Sequence, residues 1–287
     1  MPDRVLPMPT ALHDVGRSGR LEMCFRRKRN RTVLDHLYSE TPFKVTRLHH
    51  SDRSDLAHLI LMHTTAGVFG GDTLSVDIRV ESGARIMITS QSATKVHPGG
   101  DRPASQELRI RVEAGGELHY YADPFIPFAG SRFHQRTRVE LESDSRFYAW
   151  DGLMSGRVAR PEKWCFDQLR IETSVDIDST PAYLDRFLIH PESRVPIHSL
   201  TMGPFDYLGT YFIHDSRVDA ALCEAVRNNL TVDSDQTRRG TDNPCPGLLV
   251  GRAVSRGGTL FREMRTRFVK AVFKEVLGQP FSGPRGF

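Results

Sequence analysis

Apolar and polar residues alternate along much of the first 211 residues. Every second residue is apolar in 74–80, and the same alternation recurs in 108–112, 137–141 and 169–173. This period buries one face of a β-strand and leaves the other in water. Turn-forming pairs that contain glycine or aspartate separate the runs, so the pattern predicts many short strands joined by turns.

These runs follow one another without a helical period between them. Such an order favours packed sheets, either antiparallel or coiled, over a parallel doubly wound fold. The predicted fold class is therefore mainly β, with many-stranded packed or helically coiled β-sheets and two C-terminal α-helices.

The period changes in the last third of the chain. Apolar residues recur at steps of three and four between 218 and 230, behind a candidate cap at Asp215 or Ser216, and this predicts a first helix. A second helix is predicted at 260–277, with Thr259 as its cap.

Two other segments of this region are predicted to be irregular. Residues 233–246 are polar and contain Asn243-Pro244-Cys245-Pro246, which predicts a mobile loop. Gly278 and Pro280 should end the second helix, and the glycine- and proline-rich tail after them is predicted to be extended.

The net charge of +4 over 287 residues averages unlike parts. Residues 17–31 and 252–287 each carry +6, and the remainder carries −8. Two basic ends around an acidic middle suit either acidic partners or ordinary solvated faces. With 39% hydrophobic and 26% charged residues, the composition is that of a globular protein, and no stretch approaches the roughly 18–20 apolar residues of a membrane helix.

Cysteine usage points to a reducing compartment. Cys24, Cys165, Cys223 and Cys245 show no C-x-x-C spacing, and no apolar secretory segment follows the first residues. We therefore expect free thiols and a cytoplasmic location.

The familiar motifs of nucleotide binding and hydrolysis are missing. The sequence holds no G-x-x-x-x-G-K-[ST], no G-x-G-x-x-G, no H-E-x-x-H and no G-x-S-x-G. Its densest run of small residues ends in Gly70-Gly71-Asp72, where the glycines permit close backbone approach. Asp72 either caps this turn or offers a carboxylate to a cation.

Histidines cluster early in the chain. His49, His50, His58 and His63 lie near acidic residues, and imidazole with carboxylate suits a borderline metal such as nickel or zinc. No pair has the spacing of a closed site, and in a strand residues 58 and 63 fall on opposite faces. The pattern therefore predicts surface or core histidines for most of them.

Two further blocks combine aromatic and charged residues. Residues 125–138 could stack nucleic-acid bases, but their alternation favours a strand with buried aromatics and Arg132, Arg136 and Arg138 outside. In residues 150–162, Gly152 and Gly156 predict a turn or short crossing, and the charged residues suit either ion pairs or a partner.

The order of these weak blocks is more specific than any one of them. The blocks, in order, are Gly70-Gly71-Asp72, residues 91–96, residues 124–137, and Gly156-Arg157 followed by Arg160 and Glu162. Together they resemble the urease accessory protein UreD family, also called UreH, over nearly the whole chain.

The resemblance implies a non-catalytic maturation factor and no tightly bound cofactor. UreD-like proteins bind apo-urease and recruit a helical partner, UreF, which docks the nickel-carrying GTPase UreG. The assembly delivers Ni²⁺ to the dinickel site of urease, and a polar path through the UreD-like protein is a proposed conduit. Neither a nucleic acid nor a membrane is an expected partner.

Candidate site residues follow from the matching positions. Weak oxygen ligation would pass a hydrated divalent ion onward without trapping it, and the candidates for lining a transient Ni²⁺ path are Asp72, Thr94, Lys95, Asp151 and Glu162. The basic segment 260–287 is predicted to dock UreF through Arg265, Phe268, Lys270, Phe273 and Arg285. The chain 1–287 would form one UreD-like domain, with a β-rich body at 1–211 and a helical C-terminal region and tail at 212–287.

Two other functions stay open. A β-rich protein-interaction scaffold unrelated to urease would use the same surfaces, and a pull-down that lacked urease subunits would favour it. A small hydrolase would require Asp72, His97 and Glu162 to converge on one pocket.

Overall fold

The computed structural model describes residues 16–51, 54–192, 202–230 and 235–281. Its strands in chain order are β1 (Ser18–Lys28), β2 (Arg31–Ser39), β3 (Phe43–Val45), β4 (His49–Ser51), β5 (Ser54–His63), β6 (Val68–Phe69), β7 (Thr73–Val80), β8 (Arg85–Ser90), β9 (Thr94–His97), β10 (Ala104–Val112), β11 (Glu117–Tyr121), β12 (Phe125–Pro127), β13 (Arg132–Leu141), β14 (Arg146–Met154), β15 (Gly156–Arg157), β16 (Glu162–Lys163), β17 (Gln168–Ile177), β18 (Thr180–Ile189), β19 (Tyr207–His214), β20 (Thr237–Cys245) and β21 (Leu248–Ser255). The helices are α1 (Ala220–Asn229) and α2 (Gly258–Ala271), and α2 continues into a π-helical turn, Val272–Val276.

Two large sheets hold most of the strands of the described residues, and β15 and β16 form a separate two-stranded sheet. Sheet A has the order β18-β17-β13-β10-β7-β1-β2, and the main path of sheet B is β20-β21-β19-β14-β11-β8-β5-β3. Strands β7, β10, β13 and β17 run parallel in sheet A, and β8, β11 and β14 run parallel in sheet B. Because the chain alternates between the sheets, it winds as a coil. The mainly β class with helically coiled sheets and two C-terminal helices is confirmed.

The main core lies between the two sheets. Val76, Leu108 and Thr137 stand in one row across β7, β10 and β13, and the apolar positions of these strands are buried. The alternation of apolar and polar residues therefore correctly predicts which face of sheet A points inward.

A second core lies on the other face of sheet B, where α1 and α2 cover it. Trp150 and Tyr211 stack there with ring centroids 5.6 Å apart, and Phe268 of α2 contacts both rings. Strand β14 is thus buried on both faces, so it lacks alternation. The turn predicted at Gly152 is wrong for this reason, since Gly152 lies within β14.

Both helices exist, with different starts from those predicted. The Asp219 side chain caps α1 by accepting a hydrogen bond from the Leu222 N–H at 2.8 Å, so the caps predicted at Asp215 and Ser216 are wrong. Helix α2 follows Gly257 and has no side-chain cap, which excludes the capping role of Thr259. Gly278 follows the π-helical turn at φ +66°, a conformation that favours glycine.

The mobile loop predicted at 233–246 is wrong over Thr237–Cys245, which form β20. This strand pairs with β21 at the edge of sheet B, with an irregularity between Asp242 and Cys245. An edge strand tolerates Pro244 and exposes most of its residues, so it shows neither an apolar run nor a clear alternation. The region 212–287 therefore contributes strands as well as helices.

Candidate functional site

The blocks that carry the family resemblance meet at one corner of sheet B. Short strand β9 pairs with both β6 and β12, and β12 also pairs with β14. We call this group the β6–β9–β12 corner. Separate sequence blocks thus become one structural unit.

Glycines allow this corner to close. A Cβ on Gly67 would lie 2.3 Å from the carbonyl oxygen of Lys95, and one on Gly70 would lie 2.7 Å from the backbone of Gly99. Real Cβ atoms do not approach backbone so closely. The glycines therefore allow two loops, residues 64–72 and 95–102, to pack against each other.

Asp72 is buried beneath the corner, at the start of β7. One carboxylate oxygen accepts the Arg17 N–H at 3.0 Å, and the other accepts the Phe69 N–H at 2.9 Å. Asp72 also lines a cleft of about 760 Å³ together with the glycines of both loops. Its two backbone hydrogen bonds match the turn-capping interpretation.

Two further candidates, Thr94 and Lys95, lie in the corner, and Glu162 lies on β16. Thr94 is half-buried and Lys95 is exposed on β9. Glu162 forms an ion pair with Arg157, whose Nε lies 2.6 Å from a carboxylate oxygen, and this hydrogen bond lowers the pKa of Glu162. The Arg157 guanidinium in turn lies 4.4 Å from the ring centroid of Phe128.

Asp151 lies elsewhere, half-buried in a small, partly open cavity of about 50 Å³ between the two sheets. Apolar side chains form most of the wall, and the hydroxyls of Thr137, Thr173 and Thr210 add polar groups. Burial raises the pKa of Asp151 from 3.8 to about 6, against the opposing hydrogen bonds from the Gly152 N–H and the Gln135 amide. The Gln135 Nε2 lies 3.3 Å from the carboxylate, while the buried Gln135 Oε1 has no hydrogen-bond partner among the described residues.

The five path candidates therefore do not form one site. Asp72 and Asp151 line different cavities, and Thr94, Lys95 and Glu162 line neither of the two. No group of three or more histidine, cysteine, aspartate or glutamate side chains in the described ranges is placed to hold a metal ion.

The constellation required by a hydrolase is not assembled either. Asp72 accepts backbone N–H groups and Glu162 pairs with Arg157. The His97 Nε2 lies 3.2 Å from the carbonyl oxygen of Ala66, and its ring stacks on Phe69. Neither carboxylate is thus placed to orient this imidazole.

The predicted docking residues divide between core and surface. Phe268 and Phe273 are buried in the second core, and Arg265 pairs with Asp123 at 2.6 Å. Lys270 is exposed on α2, and Arg285 lies outside the described residues. Within the described part of the set, Lys270 is the side chain presented to solvent.

A buried charge network around Glu117 was not predicted from the sequence. Glu117 and His119 are both fully buried and lie 2.9 Å apart, and Arg85 and Arg146 also contact Glu117. Burial would raise the pKa of Glu117, but hydrogen bonds from His119 and Arg85 lower it to about 2. The sequence Glu117-Leu118-His119-Tyr120-Tyr121 could have predicted that Glu117 and His119 are neighbours, because a strand places residues 117, 119 and 121 on one face.

Comparison with known proteins settles the family. Residues 17–286 match the sequence model described as UreD urease accessory protein. The chain belongs to the UreD family.

Individual relatives agree with this assignment. A urease accessory protein UreD of Deinococcus radiodurans is 36% identical over 225 residues, which cover 77% of this chain and 80% of that relative. One from Bacillus sp. (strain TB-90) is 27% identical over 263 residues, covering 91% and 96%. One from Halalkalibacterium halodurans is 33% identical over 216 residues, covering 74% and 78%.

Among the described residues, no helix is long and apolar enough to cross a bilayer.

Proposed function

We propose that this protein is a non-catalytic factor in urease maturation that supports the insertion of Ni²⁺ into the dinickel site of urease. The match of residues 17–286 to the UreD urease accessory protein family carries the proposal. The proposed partners are apo-urease and UreF, and the GTPase UreG through UreF. A scaffold unrelated to urease would leave the family match unexplained.

Asp151 is the proposed step of a nickel path through the molecule. Its cavity of about 50 Å³ exceeds the roughly 10–15 Å³ that one water molecule requires. A carboxylate with a pKa of about 6 is mainly ionised at neutral pH, and threonine hydroxyls lie in the same wall. Such oxygen ligands hold a hydrated divalent ion weakly, which transit requires.

The exposed surface of α2 and the basic segment after it are the proposed contact with UreF. Lys270 and Lys274 are exposed there, and the segment 252–287 carries +6. Positive charge of this density favours an acidic partner surface. We place the assembly in the cytoplasm, where the four free cysteines suit a reducing environment.

Co-expression tests this function directly. Urease subunits and the other accessory proteins are produced with and without this chain, and nickel per urease is measured on the purified enzyme. We expect low nickel content without the chain and restored content with it. Full nickel loading without the chain, in cells where the chain is the only difference, would contradict the proposal.

A further inference from the structure

Two histidines face each other across β4 and β5. The strands are antiparallel, and His49 lies directly opposite His58 in the register. Side chains at such positions lie on one face with Cβ atoms roughly 4.5–5.5 Å apart. Two imidazoles at this separation are close enough to share one metal ion.

The ring of His58 has the setting of a metal ligand. Its Nε2 lies 3.0 Å from the Thr89 hydroxyl oxygen. When Nε2 carries the proton, it donates to Thr89, and Nδ1 then presents a lone pair. Metal-binding histidines usually have their second ring nitrogen held by such a partner.

Solvent has access to both histidines. His49 is exposed and His58 is half-buried, so an ion from solvent can reach both rings.

Among the described residues, no third histidine, cysteine, aspartate or glutamate joins the pair to complete a metal site. His58 lines an open cleft of about 630 Å³ whose polar wall includes Ser90 and Ser92. The nearby carboxylate of Asp123 is paired with Arg265. Met87, the next residue in the row after His58, is buried in the second core.

We propose that His49 and His58 form a two-histidine site for a borderline divalent cation of the Ni²⁺ and Zn²⁺ class, with water in the remaining positions. Neutral imidazole is a preferred ligand of these ions, and a site with two protein ligands exchanges its ion readily. The site depends on the geometry of β4 and β5 and not on the proposed role in urease maturation.

Calorimetric titration of the purified full-length chain with Ni²⁺ tests the site, using protein without a histidine tag. We expect His49→Ala and His58→Ala each to weaken binding at least about tenfold, the lower end of what loss of an outer-shell partner costs. His50→Ala is the matched control, because His50 is in the same strand but on the opposite face. Far-UV circular dichroism checks that each variant keeps the fold.

Three results would overturn the proposal. They are no measurable Ni²⁺ binding by the unaltered chain, unchanged affinity in both site variants, or an equal loss in His50→Ala. The assay contains no urease, so these results leave the maturation function untouched, and failure of the co-expression experiment leaves the metal site untouched.

Discussion

Asp72 holds two backbone N–H groups, those of Arg17 and Phe69, with its two carboxylate oxygens. In Asp72→Ala both donors lose their acceptor in a partly buried setting. We expect the free energy of unfolding to fall by about 1–3 kcal/mol, measured by urea denaturation.

Asp101→Ala is a suitable control for Asp72→Ala. The Asp101 side chain is fully exposed and lies in the same cleft wall, so its loss should change stability by no more than about 0.5 kcal/mol. If Asp72→Ala keeps the stability of the wild type but lowers the nickel loading of urease, the result would contradict the capping role. It would favour a role of Asp72 in the nickel path.

Asp151 gives a pH-dependent prediction. Burial raises its pKa to about 6 in the folded state, so the folded protein holds this proton where the unfolded chain has lost it. Its contribution to stability therefore falls as pH rises from about 4 to about 6 and stays low above that. Asp151→Asn should be stabilised relative to wild type at pH 7.5 by up to about 3 kcal/mol, and much less at pH 4.

Urea denaturation of both proteins at the two pH values measures this difference. The same variant should lower nickel loading of urease, because an amide is a poor ligand for the ion. A variant with equal stability gains at both pH values would argue against a raised pKa, and normal nickel loading would argue against the path.

The sequence predicted what kind of chemistry Asp72 and Asp151 offer, but not which groups they contact in the fold. The residue types in Gly70-Gly71-Asp72 indicate a tight turn with a capping carboxylate, and the structure has one. The position of Asp151 depends on which face of β14 meets sheet A. A strand buried on both faces carries no alternation to report this.

Helix α2 has one face in the core and one in solvent, and this separates stability from binding. Phe268 is fully buried against Trp150 and Tyr211, so Phe268→Ala should lower the free energy of unfolding by about 3–5 kcal/mol. Lys270 is exposed, and Lys270→Ala should leave stability within about 0.5 kcal/mol while reducing co-purification with UreF.

Thermal or urea unfolding and a pull-down with UreF measure the two effects. Strong destabilisation by Lys270→Ala would show that this side chain supports the fold. An unchanged yield of UreF would remove Lys270 from the docking surface.

The charge network of Glu117 joins four strands of sheet B. Glu117 contacts Arg85 and Arg146, and Arg85 also pairs with Asp55. Glu117→Gln removes the buried carboxylate that the half-buried Arg85 and Arg146 share, while Arg85 keeps its pair with Asp55. We expect a loss of about 1.5–3 kcal/mol, the usual range for hydrogen bonds to charged groups. Glu140→Gln, which breaks a pair with Arg111 on the exposed face of sheet A, should cost about 0–1 kcal/mol.

The pH dependence of Glu117 has the opposite sign to that of Asp151. Its pKa is lowered to about 2 in the folded state, so its stabilisation is complete above about pH 5 and is lost as pH falls toward 2. Urea denaturation between pH 3 and pH 7 should show this loss in wild type and a weaker slope in Glu117→Gln. Equal slopes would contradict the lowered pKa.

Elements with one exposed face were the most predictable. Strands β7, β10 and β13 and the buried stripe of α2 follow their periods closely. Strand β20 was not predicted, because it lies at the edge of a sheet and contains Gly240 and Pro244. These residue types are more common in loops than in strands.

At the scale of the molecule, the order of strands predicted packed or coiled sheets, but not how the sheets end. Sheet A begins with the β1–β2 hairpin beside β7 and finishes with the β17–β18 hairpin beside β13. The pairings of β1 with β7 and of β13 with β17 join strands that are far apart in the sequence, and the two hairpins depend on local turns. None of these features changes the alternation of apolar and polar residues along a strand. The sequence pattern alone therefore could not distinguish stacked sheets from this coil.

The coil also determines how such a molecule can change in length. Val76, Leu108 and Thr137 occupy equivalent positions in successive turns, so each turn presents its neighbour with the same kind of surface. Addition or removal of one whole turn between the two hairpins preserves these rows, whereas a shift of a single residue in one strand would reverse its inward and outward faces. Variation in length should therefore occur in whole turns or in the connecting loops, and the strands between them should keep their lengths.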